Sequence, residues 1–304
     1  MSHKSAFVAI VGRPNTGKST LINTLVGEKV AITSHHPNTT RSTIRGILTS
    51  PGVQFVFVDT PGIHKPKTLL GGALNTMVEE GMDSVDIAIM CIPAVEKIGS
   101  GDEYIARAIA AKKEAKKICV ITMVDMVDKS KIPNQLLLAT ELAKKSGFEW
   151  DEIVPLSAKI DLQIDTLLEV LEKYAPEGPA FYPEEMKSDR DRDSVLADLI
   201  REAAIEGLFE EVPHSVAVTI DDFSQRENKK NFYDIHASII VERDSQKGIL
   251  IGKGGQHLKE IGSRARSEIE KNLGGRVYLD IQVKVMPRWQ SDPKALSKLG
   301  FTQP

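Results

Sequence analysis

The feature that most constrains the fold is a glycine-rich loop that directly follows an apolar run near the N-terminus. Residues Ala6–Val11 form the apolar run, and the residues from Gly12 to Ser19 fit the pattern GxxxxGK[ST]. Between a strand and a helix, the backbone N–H groups of such a loop surround phosphate groups, and the dipole of the helix favours their negative charge. The pattern therefore predicts a sheet whose first strand delivers a phosphate-binding turn to one edge.

Each polar residue of this loop has an expected partner. Lys18 is expected to reach the β- and γ-phosphates, and the hydroxyl of Ser19 is expected to bind Mg²⁺. The predicted nucleotide-binding residues of the loop are Gly12, Arg13, Pro14, Asn15, Thr16, Gly17, Lys18, Ser19 and Thr20.

Two further segments fit a nucleotide switch. Asp59 follows the apolar run Gln54–Val58 and can hold Mg²⁺ through water, while the N–H of Gly62 can sense the γ-phosphate. Thr40 lies in a polar stretch before the second strand, where it can complete the Mg²⁺ shell only when a γ-phosphate is present. The predicted contacts of the second segment are Asp59, Thr60, Pro61 and Gly62, and the predicted catalytic residues are Lys18, Thr40 and Gly62.

The order of apolar runs indicates the fold class. Strand-like runs alternate with helical stretches through residue 175, which predicts a mostly parallel sheet flanked by helices. Residues 176–192 are rich in proline, glycine and acidic residues and are predicted to be a stiff linker. Residues 193–304 are predicted to form a second domain of helices and strands.

Composition narrows the class of protein. Charged residues make up 27% and apolar residues 41% of the chain, as in ordinary soluble domains. The longest apolar stretch, Ile87 to Val95, is far shorter than the roughly 20 residues that span a bilayer. Cys91 and Cys119 each sit in an apolar run, which favours buried thiols in a reducing cytoplasm.

A second glycine loop lies near the C-terminus, at the start of a basic segment. Residues 247–304 carry 11 Lys and Arg against 5 Asp and Glu, whereas residues 191–246 carry 6 against 13. A GxxG loop before a basic helix is typical of RNA-binding modules that clamp about four nucleotides. The predicted RNA-binding residues are Ile251, Gly252, Lys253, Gly254, Gly255, Lys259, Arg264 and Arg266.

Together these motifs resemble the Era family of GTPases over nearly the whole chain. The resemblance rests on the Gly-Arg-Pro-Asn start of the phosphate loop, Thr39-Thr40-Arg41, Asp59-Thr60-Pro61-Gly62, Ser157-Ala158-Lys159 and the C-terminal glycine loop. It implies a P-loop GTPase (G) domain in residues 1–175 and a smaller α+β, type II KH domain in residues 193–304. The implied activity is GTP hydrolysis by a switch that binds the 3′ end of 16S rRNA and assists maturation of the small (30S) ribosomal subunit.

The resemblance also implies partners and a location. The implied ligands are GTP, GDP and Mg²⁺, and the implied oligomeric state is a monomer. The implied location is the cytoplasm, with peripheral association at the inner face of the cell membrane, although the sequence shows no amphipathic anchor. At the position of a water-orienting glutamine the chain has Ile63, so slow intrinsic hydrolysis is expected. Relatives with the same substitution use K⁺, which by resemblance is expected to bind Asn15.

The guanine site departs from the family pattern. The usual Asn-Lys-x-Asp is replaced by Thr122-Met123-Val124-Asp125. Asp125 can still accept two hydrogen bonds from guanine, which adenine cannot offer. Met123 and Lys159 are expected to cover the two faces of the base, and the N–H of Ala158 to contact its O6. The predicted base-binding residues are Thr122, Met123, Asp125, Ser157, Ala158 and Lys159.

Two other functions remain open from the sequence. The degenerate guanine motif is compatible with a structural RNA-binding assembly protein that has a vestigial nucleotide pocket. A relative of the tRNA-modifying GTPases is the second alternative, although that class would require a cysteine near the C-terminus and none follows Cys119.

Overall fold

The computed structural model describes residues 3–32, 44–59, 69–70, 85–206, 208, 215–227, 229–299 and 301. They form two compact units, whose main division falls between Asp189 and Arg190.

The first unit is built on a six-stranded sheet with strand order β2-β3-β1-β4-β5-β6. β2 pairs antiparallel with β3, and the other pairs are parallel. The sheet confirms the predicted α/β class. Its strands are β1 (Lys4–Val11), β2 (Ile44–Ser50), β3 (Val53–Asp59), β4 (Ile87–Pro93), β5 (Lys116–Thr122) and β6 (Glu152–Pro155).

The central strands are buried on both faces, as their continuous apolar sequences predict. Every residue of β3 and of β4 is buried. Four helices of the first unit have described bounds, and they cover the sheet through two apolar clusters. These helices are α1 (Lys18–Val26), α2 (Ser100–Ala110), α3 (Ile132–Lys145) and α4 (Ile164–Tyr174).

Composition predicts a linker over residues 176–192, and residues 176–189 of this stretch pack against the first unit's sheet. The side chain of Gln54 is fully buried, and its Oε1 accepts hydrogen bonds from the backbone N–H groups of Phe181 and Tyr182 at 2.7 and 3.0 Å. The N–H of Ile47 in the edge strand β2 donates to the carbonyl of Lys187 at 2.8 Å. This segment therefore continues the fold of the first unit as far as Asp189.

The second unit has the element order α-β-β-α-α-β and ends in a further short helix. β7 and β8 pair antiparallel, and β8 and β9 pair parallel. The helices and one face of the sheet enclose an apolar core. The elements are α5 (Arg192–Ile205), β7 (Ala217–Gln225), β8 (Phe232–Val241), α6 (Asp244–Ile251), α7 (Gln256–Leu273), β9 (Arg276–Val285) and the short α8 (Pro293–Lys298).

A buried tryptophan lies in the C-terminal part of the second unit. Trp289 is fully buried, and its Nε1–H donates to the carbonyl of Ser215 at 3.1 Å. The ring stacks on Phe301 at 5.6 Å between centroids. The indole N–H therefore has a hydrogen-bond partner and the apolar ring has an aromatic contact, as a buried tryptophan requires.

Candidate functional site

The carboxyl ends of four parallel strands meet at one edge of the first unit's sheet. β1 leads into Gly12, β3 ends at Asp59, β5 ends at Thr122, and Ser157 lies two residues after the end of β6. β1 lies between β3 and β4, where the strand order reverses. Ligands of open α/β sheets bind outside the carboxyl ends at such a reversal, so this edge is the candidate site.

The phosphate loop packs closely on the sheet. A methyl group added at Gly12 would lie 2.8 Å from the backbone oxygen of Cys91 in β4, which leaves room only for glycine. Asn15 and Gly17 adopt positive φ angles of 63° and 87°. Glycine takes this conformation without strain and asparagine tolerates it better than most residues, so the loop sequence suits the turn that it forms.

Lys18 crosses this loop from the first turn of α1. Its ammonium donates to the carbonyl of Arg13 at 2.7 Å, and the hydroxyl of Thr16 donates to the same oxygen at 3.0 Å. Only 6% of Lys18 is exposed, and this burial lowers the pKa of its ammonium below the ordinary value. The cation is therefore held inside the loop that the sequence assigns to phosphate binding.

Two oxygen donors lie together at the start of α1 and the end of β3. The hydroxyl of Ser19 donates to Oδ2 of Asp59 at 3.0 Å, and Asp59 is fully buried. A hydroxyl and a carboxylate are hard oxygen ligands that suit Mg²⁺. Four further predicted contacts, Thr40, Thr60, Pro61 and Gly62, lie outside the described residues.

The side chain of Arg13 has protein partners of its own. Its Nε–H donates to Oδ1 of Asp102 at 2.8 Å, and Nη2 lies 2.8 Å from a carboxylate oxygen of Glu96. Its methylene groups lie against Gly101, where an added methyl group would approach Cδ to 2.7 Å. The backbone of Arg13 therefore forms part of the phosphate loop, whereas its guanidinium ties that loop to the start of α2.

Asp102 is the site residue that sequence reasoning missed. Its carboxylate is fully buried and accepts one hydrogen bond from Arg13 and another from the N–H of Gly99 at 2.9 Å. An acidic residue in the first turn of a helix is common because it complements the helix dipole. The local sequence therefore gave no sign that this carboxylate also holds a residue 89 positions away.

The degenerate guanine motif lies beside the phosphate loop. The buried hydroxyl of Thr122 donates to the carbonyl of Thr16 at 2.8 Å. Met123 has a φ of 59°, and its methyl carbon lies 3.6 Å from a methyl group placed at Gly17. Asp125 is exposed in the short 3₁₀ turn that follows. Thr122 therefore links β5 to the phosphate loop and leaves Asp125 open to a ligand.

The Ser157–Lys159 segment is anchored next to these residues. The hydroxyl of Thr24 in α1 donates to the carbonyl of Ala158 at 3.1 Å. Ser157 is buried and exchanges two backbone hydrogen bonds with Leu162, whereas Lys159 is exposed. The structure therefore brings the predicted base-binding segment to the same edge as the phosphate loop.

The second glycine loop joins α6 to α7 in a conformation that requires glycine. Gly252, Gly254 and Gly255 have φ angles of 69°, 61° and 80°. A methyl group at Gly252 would lie 2.7 Å from Cβ of His257, whose ring Nδ1 is 2.9 Å from the carbonyl of Ile249. Lys253 is exposed in this tight turn and can meet a phosphate.

The predicted cations of α7 fall into two kinds. Lys259 and Arg266 are exposed seven residues apart, which places them on one face of the helix. Arg264 instead packs toward α5, where it donates to the carbonyl of Ala203 at 3.0 Å and pairs with Glu206 at 3.1 Å. Arg264 therefore holds two helices together within the second unit.

The described residues contain no cluster of three or more His, Cys, Asp or Glu side chains that could hold a metal ion. Within the same ranges, none of the helices has the length and apolar character needed to cross a membrane.

Comparison with known proteins identifies the families that the two parts of the chain match. A family model described as a 50S ribosome-binding GTPase matches residues 7–124, and a KH-domain model matches residues 211–290. The chain is 52% identical to GTPase Era of Mycolicibacterium smegmatis over 299 residues, which are 98% of this chain and 99% of that protein. The chain belongs to the Era family of GTPases.

Other family members extend the match to the fold. GTPase Era of Streptomyces coelicolor is 48% identical over 98% of this chain and 95% of its own. The crystal structure of Era with MgGDPNP and nucleotides 1506–1542 of 16S ribosomal RNA has a TM-score of 0.93 at 39% identity and covers 99% of this chain and 100% of that one. A variant of Aquifex aeolicus Era bound to GDP and AlF₄⁻ has the same TM-score at 38% identity, with the same coverage of both chains. The family, the fold class and the GTPase activity predicted from the sequence are thereby confirmed.

Proposed function

We propose that this protein is a GTP-hydrolysing switch that binds the 3′ end region of 16S rRNA and assists maturation of the small ribosomal subunit. The proposal rests on one observation: a chain of this family contains both a phosphate loop folded against the sheet and a GxxG turn whose glycines have positive φ angles. A related Era has been crystallised with both a GTP analogue and that RNA, which supports the combination.

The phosphates are expected to bind within the loop from Gly12 to Ser19. Lys18 is buried there and held by a backbone carbonyl at 2.7 Å, so its ammonium needs only a short movement to meet the β- and γ-phosphates. Ser19 and Asp59 would hold Mg²⁺, and the bound ion would neutralise charge on the phosphate oxygens. Thr40 and Gly62 are proposed to sense the γ-phosphate.

Hydrolysis is expected to be slow without a stimulating partner. Ile63 can neither orient a water molecule nor stabilise charge. We propose that K⁺ bound by Asn15 supplies part of the missing charge. Equal GTP turnover in KCl and NaCl would remove this proposal, and Asn15→Ala should abolish any difference between the two salts.

Guanine selection is proposed to rest on Asp125 and the backbone N–H of Ala158. Thr122 is engaged with the phosphate loop and gives its hydroxyl to Thr16, so it has no proton to offer the base. Met123 lies beside Gly17 and can cover one face of the base by dispersion, and Lys159 can cover the other. Losing one polar contact costs about 1–3 kcal/mol, so GTP affinity is expected to be roughly tenfold to a hundredfold weaker than with the usual motif.

Calorimetric titration tests the base site. GDP should bind and ADP should not, because adenine presents an acceptor where Asp125 needs a donor. Met123→Lys restores the usual residue and should strengthen GDP binding. Comparable binding of GDP and ADP would overturn guanine selection.

GTP turnover tests the proposed function as a whole. Lys18→Ala should abolish turnover, whereas Lys113→Ala, a change of an exposed lysine in the same unit, should leave it unchanged. Absence of turnover in the wild-type protein, with RNA binding retained, would point to the vestigial-pocket alternative.

RNA is proposed to lie against the GxxG turn, with Lys253, Lys259 and Arg266 facing its phosphates. We further propose that the protein acts as a monomer in the cytoplasm and associates peripherally with the inner face of the membrane. Light scattering tests the first point, and flotation with anionic vesicles tests the second.

A further inference from the structure

We propose that a groove at the β7–β8 turn is a second RNA-binding site, which holds a nucleotide several positions away from those that the GxxG turn grips. The inference rests on the proposed function, because it assumes that the second unit binds RNA. The groove would engage the part of a long RNA that the GxxG turn cannot reach.

The groove is shallow and open to solvent. Its volume is about 550 Å³, and its lining is predominantly polar. Among the described residues that line it, three are cations and one is an acid. The lining residues are Gln225, Arg226, Glu227, Lys229 and Lys230.

Arg226 presents a fixed, flat cation at this groove. Its Nε–H donates to Oδ2 of Asp234 at 2.6 Å, and its guanidinium carbon lies 4.4 Å from the centre of the Phe232 ring and 5.7 Å from that of Tyr278. The hydrogen bond with Asp234 also raises the pKa of the guanidinium. A planar guanidinium held in this way offers a stacking surface for an unpaired base, as arginine does in many RNA complexes.

Tyr278 and Lys229 add a second aromatic surface and a phosphate contact. The Tyr278 side chain is 49% exposed on the face of β9 that also carries Asp280. The ammonium of Lys229 lies 5.1 Å from the centre of the Phe232 ring and remains exposed to solvent. Cations interleaved with aromatic rings are the composition by which proteins bind single-stranded RNA.

The groove lies at the far end of α7 from the GxxG turn. α7 begins immediately after Gly255, and the strand that follows it pairs Arg276 with Phe232, next to the groove. Its 18 residues span about 27 Å at 1.5 Å per residue. A stacked strand advances about 3.4 Å per nucleotide, so about eight nucleotides are needed to cover this distance.

The length of RNA in the related complex fits this separation. A GxxG turn clamps about four nucleotides, which would not reach the groove. The RNA crystallised with the related Era runs from nucleotide 1506 to 1542, which is long enough to occupy both places.

The test compares a long RNA with a short one. The long probe is the RNA of nucleotides 1506–1542, and the short probe is the hexanucleotide window of that sequence that binds the wild-type protein most tightly. The double variant Lys229→Glu/Lys230→Glu reverses two charges at the groove. Lys294→Glu/Lys298→Glu is the matched control, because these lysines are also exposed in the second unit but lie on α8.

The Lys229→Glu/Lys230→Glu variant should bind the long RNA at least tenfold more weakly than the wild type, with a smaller dependence of affinity on salt. Its affinity for the hexanucleotide should change less than twofold. Equal affinity for the long RNA, or an equal loss for both RNAs, would overturn the proposal. If the control loses as much affinity for the long RNA, the effect is one of general charge and the proposal also fails.

A second variant separates stacking from charge. Arg226→Lys keeps the positive charge but removes the planar group, and it should weaken binding of the long RNA at least fivefold with no change for the hexanucleotide. Unchanged binding of the long RNA would overturn the stacking role of Arg226. Failure of the wild-type protein to bind either RNA would instead overturn the proposed function, and this inference with it.

Discussion

Replacing Asp102 by asparagine is expected to destabilise the phosphate loop, because Asp102 holds the side chain of Arg13 in that loop. Both partners of this buried carboxylate are donors, the Nε–H of Arg13 and the N–H of Gly99. The asparagine amide nitrogen must then face one of these donors, which leaves a hydrogen bond unmade and Arg13 without its buried counter-charge. Glu96 remains as a partner for Arg13, at 2.8 Å on its exposed side.

The size of the effect follows from the burial of the pair. Breaking a fully buried ion pair costs about 3–5 kcal/mol, whereas exposed pairs are worth about 0–1 kcal/mol. Asp102 is fully buried but the Arg13 side chain is 25% exposed, so a cost of about 2 kcal/mol is expected for Asp102→Asn. For a unit of this size, that loss lowers its melting temperature by roughly 4–8 °C.

The Asp102→Asn substitution should also weaken the binding of GDP. The carbonyl of Arg13 accepts hydrogen bonds from Lys18 and Thr16, so displacement of Arg13 moves the ammonium that is proposed to meet the phosphates. A loss of about 1.4 kcal/mol of binding corresponds to a tenfold higher Kd for GDP, which calorimetry measures.

A matched control and a double mutant decide whether the reasoning holds. Glu103→Gln changes the neighbouring carboxylate in the same helical turn, which pairs with Lys145 at the surface at 2.6 Å, and should affect neither stability nor GDP binding. Arg13→Met together with Asp102→Asn should cost less than the sum of the two single changes, because the pair acts as a unit. An unchanged melting temperature and an unchanged Kd for GDP in Asp102→Asn would refute the argument.

Three further predictions follow from single residues. Gly252→Ala should weaken RNA binding at least tenfold in an anisotropy titration, because the added methyl group would lie 2.7 Å from Cβ of His257. GTP turnover without RNA should be retained, and unchanged RNA affinity would contradict the prediction. Thr122→Val should destabilise the first unit by about 1–3 kcal/mol in a urea titration, since the buried carbonyl of Thr16 loses its donor; equal stability would show that the bond is dispensable. Burial raises the pKa of the Cys91 thiol to about 12. An aromatic disulfide reagent at pH 8 should therefore label this thiol only after the protein unfolds. Rapid labelling of the native protein would show that the thiol is not buried.

The sequence predicted those parts of the site that depend on local patterns. The phosphate loop and the second glycine loop each combine glycines at fixed spacing with a following helix, and the structure gives them positive φ angles at Gly17 and Gly252. Continuous apolar runs predicted the central strands because both faces of a parallel strand are buried.

The sequence could not predict contacts between distant residues. Composition predicts a linker over residues 176–192, but the buried side-chain amide of Gln54 binds the backbone of Phe181 in this segment, more than 100 positions away. The sequence assigns Arg13 and Arg264 to ligands because cations near glycine loops usually meet phosphates. In the structure, Arg13 pairs with Asp102 and Arg264 pairs with Glu206. Only the folded chain shows which cations have partners of their own.

The most direct test of the account is the affinity of the RNA for the protein in its two nucleotide states. The account holds that the phosphate loop and the GxxG turn serve one switch, so the protein with GDPNP and Mg²⁺ should bind the RNA of nucleotides 1506–1542 at least fivefold more tightly than the protein with GDP. By linkage the RNA should raise the affinity for GDPNP, relative to the affinity for GDP, by the same factor. Identical RNA affinity in the two states would contradict the account and leave two independent binding sites in one chain.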